Sequence, residues 1–103
     1  MALQNLGSAS KKGDDVKAMP LKQAEARLYA VAQGKKDASL TVFTWKRDRW
    51  VEVERCADTI TLREHGFRDD EQDYAQARDM KRALKDACAR EFPRSNRVHV
   101  AES

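Results

Sequence analysis

At LTVFTWKRDRWVEVERCADTITLR, residues 40–63, the apolar spacing of the chain switches from helical periodicity to alternation. Leu40 to Trp45 is rich in β-branched and aromatic residues, the side chains that fit a pleated, half-buried surface. Arg49 to Arg55 alternates charged and apolar positions, and Thr59 to Arg63 alternates again. Only Lys46-Arg47-Asp48 and Cys56-Ala57-Asp58 separate these runs. Parallel strands need a long crossover, so three strands joined by such short polar links predict an antiparallel meander.

Upstream, Pro20 stands where a helix tolerates its first residue, since the missing N–H would find no partner there. Leu21, Ala24, Leu28, Val31 and Ala32 follow at helical spacing, and Gly34 supplies the stop. Downstream, Gly66 ends the third strand, and Asp69 or Asp70 caps a second helix, with Asp69 and Gln72 spaced as a capping box. Tyr74, Ala77, Met80, Leu84, Ala87 and Cys88 form its apolar stripe. Asp69, Asp70, Glu71 and Asp73 precede Lys81, Arg82, Lys85 and Arg90 in the order the helix dipole favours. Pro93 ends this helix near Glu91 or Phe92, and Arg97 to Val100 make a short last strand. The expected fold is α+β in the order α-β-β-β-α-β, a single domain over residues 20–103 with both helices on one face of the sheet. Residues 1–19 form a basic segment with too few apolar side chains to offset the entropy of ordering, and are expected to be a disordered tail.

The chain has 103 residues, 41% hydrophobic and 36% charged, which bounds it to one modest core. No apolar run approaches the roughly 18 residues that would suggest a membrane span. Met1 to Ser10 carry no apolar leader, so a cytoplasmic protein with reduced Cys56 and Cys88 is expected. Net charge is +3, but it is unevenly placed: residues 1–40 carry +3, residues 41–68 carry +1 and residues 69–103 carry −1. The basic excess belongs to the tail and first helix, which weakens any argument from charge to nucleic acid.

Catalytic and metal chemistry find little to use. Cys56, His65, Cys88 and His99 lack the close pairing by which structural zinc sites fix two ligands from one turn. A thiol or hydroxyl nucleophile needs a positioned base, and no local pattern supplies one. Glu52, Glu54 and Glu64 could gather as an acidic site by cross-strand pairing, but the better reading is the solvent face of the meander, partnered by Lys46 and Arg63. The four glycines are scattered, so no loop cradles a phosphate. The expectation is a non-catalytic protein without cofactor or metal.

Binding is more legible. Trp50 to Arg55, and Gly66-Phe67 before an Ala-rich helix, loosely resemble the three-stranded DNA-binding domains of plant transcription factors and the integrase arm-binding domains. The likeness covers less than half the chain. It implies an open sheet face laid in the major groove and read by Arg and aromatic side chains. If Val51, Val53, Ile60 and Leu62 point to the helices, however, that face carries Glu52 and Glu54, which oppose phosphate binding. Trp45 and Trp50 flank one basic turn, and alternation leaves either Leu40 and Val42 or Phe43 and Trp45 on the open face. An exposed apolar patch of this kind marks a protein interface. The candidate partner-binding residues are therefore Trp45, Lys46, Arg47, Arg49, Trp50 and Arg63. The partner is expected to be a protein or a second copy of the chain, as a homodimer, with nucleic acid as the alternative.

Overall fold

Alternation is realised as written in the computed structural model, which describes residues 16–102. The elements run β1 (Lys17–Pro20), α1 (Leu21–Gln33), β2 (Ala38–Phe43), β3 (Trp50–Cys56), β4 (Thr59–His65), β5 (Asp70–Tyr74), α2 (Ala77–Glu91) and β6 (Arg97–Glu102). They build one antiparallel sheet in the order β1-β6-β2-β3-β4-β5, whose heart is the expected meander β2-β3-β4. Both helices lie on one face. Ala24, Leu28 and Ala32 of α1 and Met80, Leu84, Ala87 and Cys88 of α2 pack against Leu40, Val42, Val51, Val53, Ile60, Leu62, Val98 and Val100. Each large aliphatic side chain in that layer contributes about 1.5–3 kcal/mol through burial. No helix among the described residues is long and apolar enough to cross a membrane.

Two strands exceed the sequence expectation. Residues 17–19, assigned to a disordered tail, are instead most of the edge strand β1, with Met19 buried and paired to Val98. The partner lies near the other end of the chain, so local composition carries no sign of it. The rest of the expected tail, residues 1–15, lies outside the described residues. The second addition is β5. The acidic run at residues 69–73 does not cap α2: Asp70 to Tyr74 pair with Glu64 to Ile60, and α2 begins at Ala77 after a Gln76 cap without a side-chain hydrogen bond. The strand competes successfully because its acids find partners on β4. Thr61 Oγ1 donates to Asp73 at 2.9 Å, and Arg63 Nε lies 3.4 Å from Glu71. Tyr74 therefore reaches the core from a strand rather than from the helix stripe.

The β2–β3 turn closes without Asn or Gly at its tip. Thr44 Oγ1 donates to Asp48 Oδ1 at 2.7 Å, the Thr44 and Arg49 backbones pair at 3.0 Å, and Arg47 takes the left-handed conformation at φ 62°. The Thr44 hydrogen bond leads the influences that lower the Asp48 pKa below the usual carboxylate range. At the other end of the same strands, Arg55 donates to the Ala32 carbonyl at 2.9 Å and satisfies the end of α1.

Candidate interaction face

Cross-strand register sorts the helix-free face into three lines. Ala18, His99, Phe43, Trp50 and His65 stand opposite one another across β1, β6, β2, β3 and β4. The next line is Ala101, Thr41, Glu52, Arg63 and Glu71. The third is Ser39, Glu54, Thr61 and Asp73. Leu40 and Val42 are buried under the helices, so Phe43 and Trp45 are the pair left outside.

The first line is a row of rings. Trp50 stacks on His65 with centroids 5.4 Å apart, and Trp45, 56% exposed, stacks on His99 at 4.1 Å. Burial against these neighbours, and next the charge of Arg47, lower the His99 pKa, so its imidazole is neutral near pH 7. Phe43 and Trp50, with Thr41 and Glu52, line a shallow hollow of about 280 Å³ beside the row. No described element covers these rings.

The second and third lines are ionic. Arg63 Nη1 lies 2.7 Å from Glu54 and 3.1 Å from Glu52, and Thr41 Oγ1 donates to Glu52 at 3.0 Å. The Glu54 hydrogen bond is the chief reason the guanidinium is held more firmly protonated than usual. Four carboxylates, Glu52, Glu54, Glu71 and Asp73, thus share this part of the face with one arginine. On the opposite side of the ring row stand Lys46 and Arg47, exposed at the tip of the β2–β3 turn, and Arg97 at the start of β6.

The six candidate residues are therefore divided. Trp45, Lys46, Arg47 and Trp50 gather at one end of the open face, and Arg63 sits in the ionic line. Arg49 leaves the group. Its guanidinium packs over the Phe67 ring at 4.6 Å and donates through Nε to the Glu91 carbonyl at 3.1 Å, joining the turn to the end of α2. His65, His99 and Phe43 complete the face. The spacing of the two histidines along the chain gives no sign of this grouping, because their neighbours in the row come from other strands.

Glu64 also departs from expectation. It does not join Glu52 and Glu54 on the open face, since parity on β4 places it with Ile60 and Leu62 beneath α2. Arg90 holds it with a two-pronged grip at 2.7 and 2.6 Å, and Glu64 shares a hydrogen bond with Glu91, which is 0% exposed. Glu91 accepts the backbone N–H of Phe67 at 3.0 Å and of Arg68 at 3.2 Å, so it fastens the β4–β5 connection to α2. Burial, followed by the Glu64 hydrogen bond, pushes the Glu91 pKa up. Burial acts the same way on Glu64, but Arg90 and Glu91 outweigh it and bring that pKa down. The opposite directions are those of two neighbouring carboxyl groups that titrate as a pair, with Arg90 favouring charge on Glu64 and burial disfavouring it on Glu91. Gly66 is required beside them: it has φ 145°, and a Cβ there would collide with the Glu91 carboxylate and the Arg49 side chain.

Cys88 is buried on the α2 stripe, and that burial, followed by the nearby Glu25, pushes its thiol pKa far upward, which removes thiolate character. Among the described residues, no three His, Cys, Asp or Glu side chains converge as a metal-holding group. Compared with known proteins, the chain matches no family model, no curated protein and no solved structure.

Proposed function

We propose that this chain is a small non-catalytic interaction module that binds another protein surface through its open sheet face. One observation carries the reading: the row His99, Phe43, Trp50 and His65, extended by Trp45, lies uncovered by any described element across the middle strands of the sheet. Core packing does not require these rings, because Leu40, Val42, Val51 and Val53 already fill the helix side. Aromatic side chains offer large contact area with little rotamer freedom to lose, which suits an interface. The adjoining carboxylates favour a protein partner over nucleic acid, since each one opposes the release of cations that drives phosphate binding.

Both tryptophans of the chain lie on this face, so their emission reports directly on its occupation. The test uses a partner recovered from the native host, identified and then purified. Titration should shift tryptophan emission, and Trp45→Ser with Trp50→Ser should abolish binding while circular dichroism and melting remain near those of the parent. A partner that binds the double variant at full strength would show that the surface lies elsewhere. Emission changes with single-stranded oligonucleotides that fade steeply with added salt would favour nucleic acid instead.

A further inference from the structure

We infer that the surface recognised by this face is the same face of a second copy, in a dimer whose two-fold axis runs along the ring row. The inference rests on the interaction-module reading above and adds the identity of the partner. Its ground is the charge on either side of the row. Lys46, Arg47 and Arg97 lie beyond one side with Asp48 in the same turn and Asp69 beside His65, which leaves that side net positive, whereas Glu52, Glu54, Glu71 and Asp73 lie beyond the other with Arg63 among them.

Such a bipolar face discriminates between partners. A uniformly basic surface would be repelled by the turn, and a uniformly acidic one by the carboxylate end. What fits is a surface with apolar rings between a basic and an acidic flank, and this chain presents one. A two-fold axis in the plane of contact, parallel to the row, reverses strand direction between copies. Row then meets row, each Lys46–Arg47 turn meets the Glu52 and Glu54 region of the other copy, and the contact is self-complementary. Any axis perpendicular to the row in that plane would set turn against turn. Among the described residues Glu54, Glu71 and Asp73 outnumber the single charge of Arg63, so even without Glu52 the acidic end presents negative charge to the opposing turn.

Area sets the strength. Six strands about 4.8 Å apart and about 20 Å long present on the order of 500 Å² in projection. One side of a standard interface buries about 800 Å². Association is therefore expected to be weak and visible as a rise in mass with concentration.

The experiment is sedimentation equilibrium of the full chain from micromolar to millimolar concentration, with tryptophan emission followed over the same range. The parent should pass from monomer to dimer with a blue shift. Two charge-reversed variants follow: Lys46→Glu with Arg47→Glu, and Glu54→Lys with Glu71→Lys. Each alone should stay monomeric where the parent dimerises, because like charges now oppose each other across the axis. Mixed in equal amounts they should form a heterodimer, since the basic end of one variant meets the acidic turn of the other. Melting curves identify any variant that has lost its fold; Trp50→Ser, which must also abolish the dimer, then replaces it. A parent that is monomeric throughout, or that dimerises equally well in every variant, overturns the proposal. Growth into long polymers also overturns it, since that would indicate pairing through the exposed edges β1 and β5. If the monomeric chain still responds through Trp45 and Trp50 to another protein, only the self-pairing fails and the module reading survives.

Discussion

The two faces of the sheet carry the same kind of ion pair at different depths. On the covered face, Arg90 and Glu64 meet under α2 beside a fully buried Glu91 that also receives two backbone N–H groups. On the open face, Arg63 meets Glu52, Glu54 and Glu71 in reach of water. Removing one member of a buried cluster strands its partners in a medium that cannot hydrate them, whereas water replaces a lost partner at the surface. The covered cluster is therefore a structural clasp, and the open one a charge pattern available to a partner.

The sharpest way to break this comparison is at Glu91. Glu91→Ala leaves the Phe67 and Arg68 N–H groups and Glu64 without their partner and should cost about 3–5 kcal/mol, a large share of the roughly 5–15 kcal/mol that holds a domain together. Urea denaturation reads the loss. Glu91→Gln keeps the uncharged shape and one acceptor, but its NH2 replaces an oxygen that accepts from either Phe67 or Arg68, so it should fall between the parent and Glu91→Ala, losing about 1–3 kcal/mol.

The same substitution sharpens the pH behaviour. Glu91 is raised in the folded state, so its contribution is complete below the unfolded value of about 4.3 and is lost as pH rises through the folded value. Glu64 is lowered, so its contribution is present above that unfolded value and is lost as pH falls through the folded one. Urea midpoints of Glu91→Gln measured from acid to neutral pH should therefore lose the decline on the alkaline side and keep the decline on the acid side.

Next in size is the apolar layer of the covered face. Leu84→Ala empties a site that is 2% exposed and should cost about 2–5 kcal/mol, read as a large fall in melting temperature. On the open face, Arg63→Ala should cost less than about 1 kcal/mol by the same measurement, although it removes contacts with three carboxylates. A loss comparable to that of Leu84→Ala would erase the distinction between the faces. The smallest effect belongs to the turn: Arg47→Gly relieves the left-handed φ of 62° and should raise the melting temperature slightly.

Much of this architecture is legible along the chain because its signals are local. Period-two alternation marks the meander, Pro20 and Gly34 bracket α1, and the stripe from Ala77 to Cys88 with Pro93 beyond it marks the body of α2. The start of α2 misleads because acids at helix-capping spacing can equally well occupy an edge strand when Thr61 and Arg63 stand opposite them. Glu64 was expected on the solvent face with Glu52 and Glu54, although two-residue parity from Ile60 and Leu62 puts it inside, where the structure has it. Its partner Glu91 was not legible, because it arrives from the end of a helix far along the chain.

By itself the sequence determined which residues alternate, and hence that Val51, Val53, Ile60 and Leu62 share a face and that Trp50, Glu52 and Arg63 share the other. It left open which side of β2 is buried, because both parities of Leu40 to Trp45 are apolar and alternation cannot choose between them. Tertiary structure made that choice by pairing β2 with both β3 and β6, which aligns Leu40 and Val42 with Val53, Val51 and Val100 beneath the helices. The same pairing sets Phe43 between His99 and Trp50. Backbone hydrogen bonds between strands distant in sequence fix register, and register determines which side chains become neighbours. The ring row is thus a property of the assembled sheet, although each of its members is visible in the sequence.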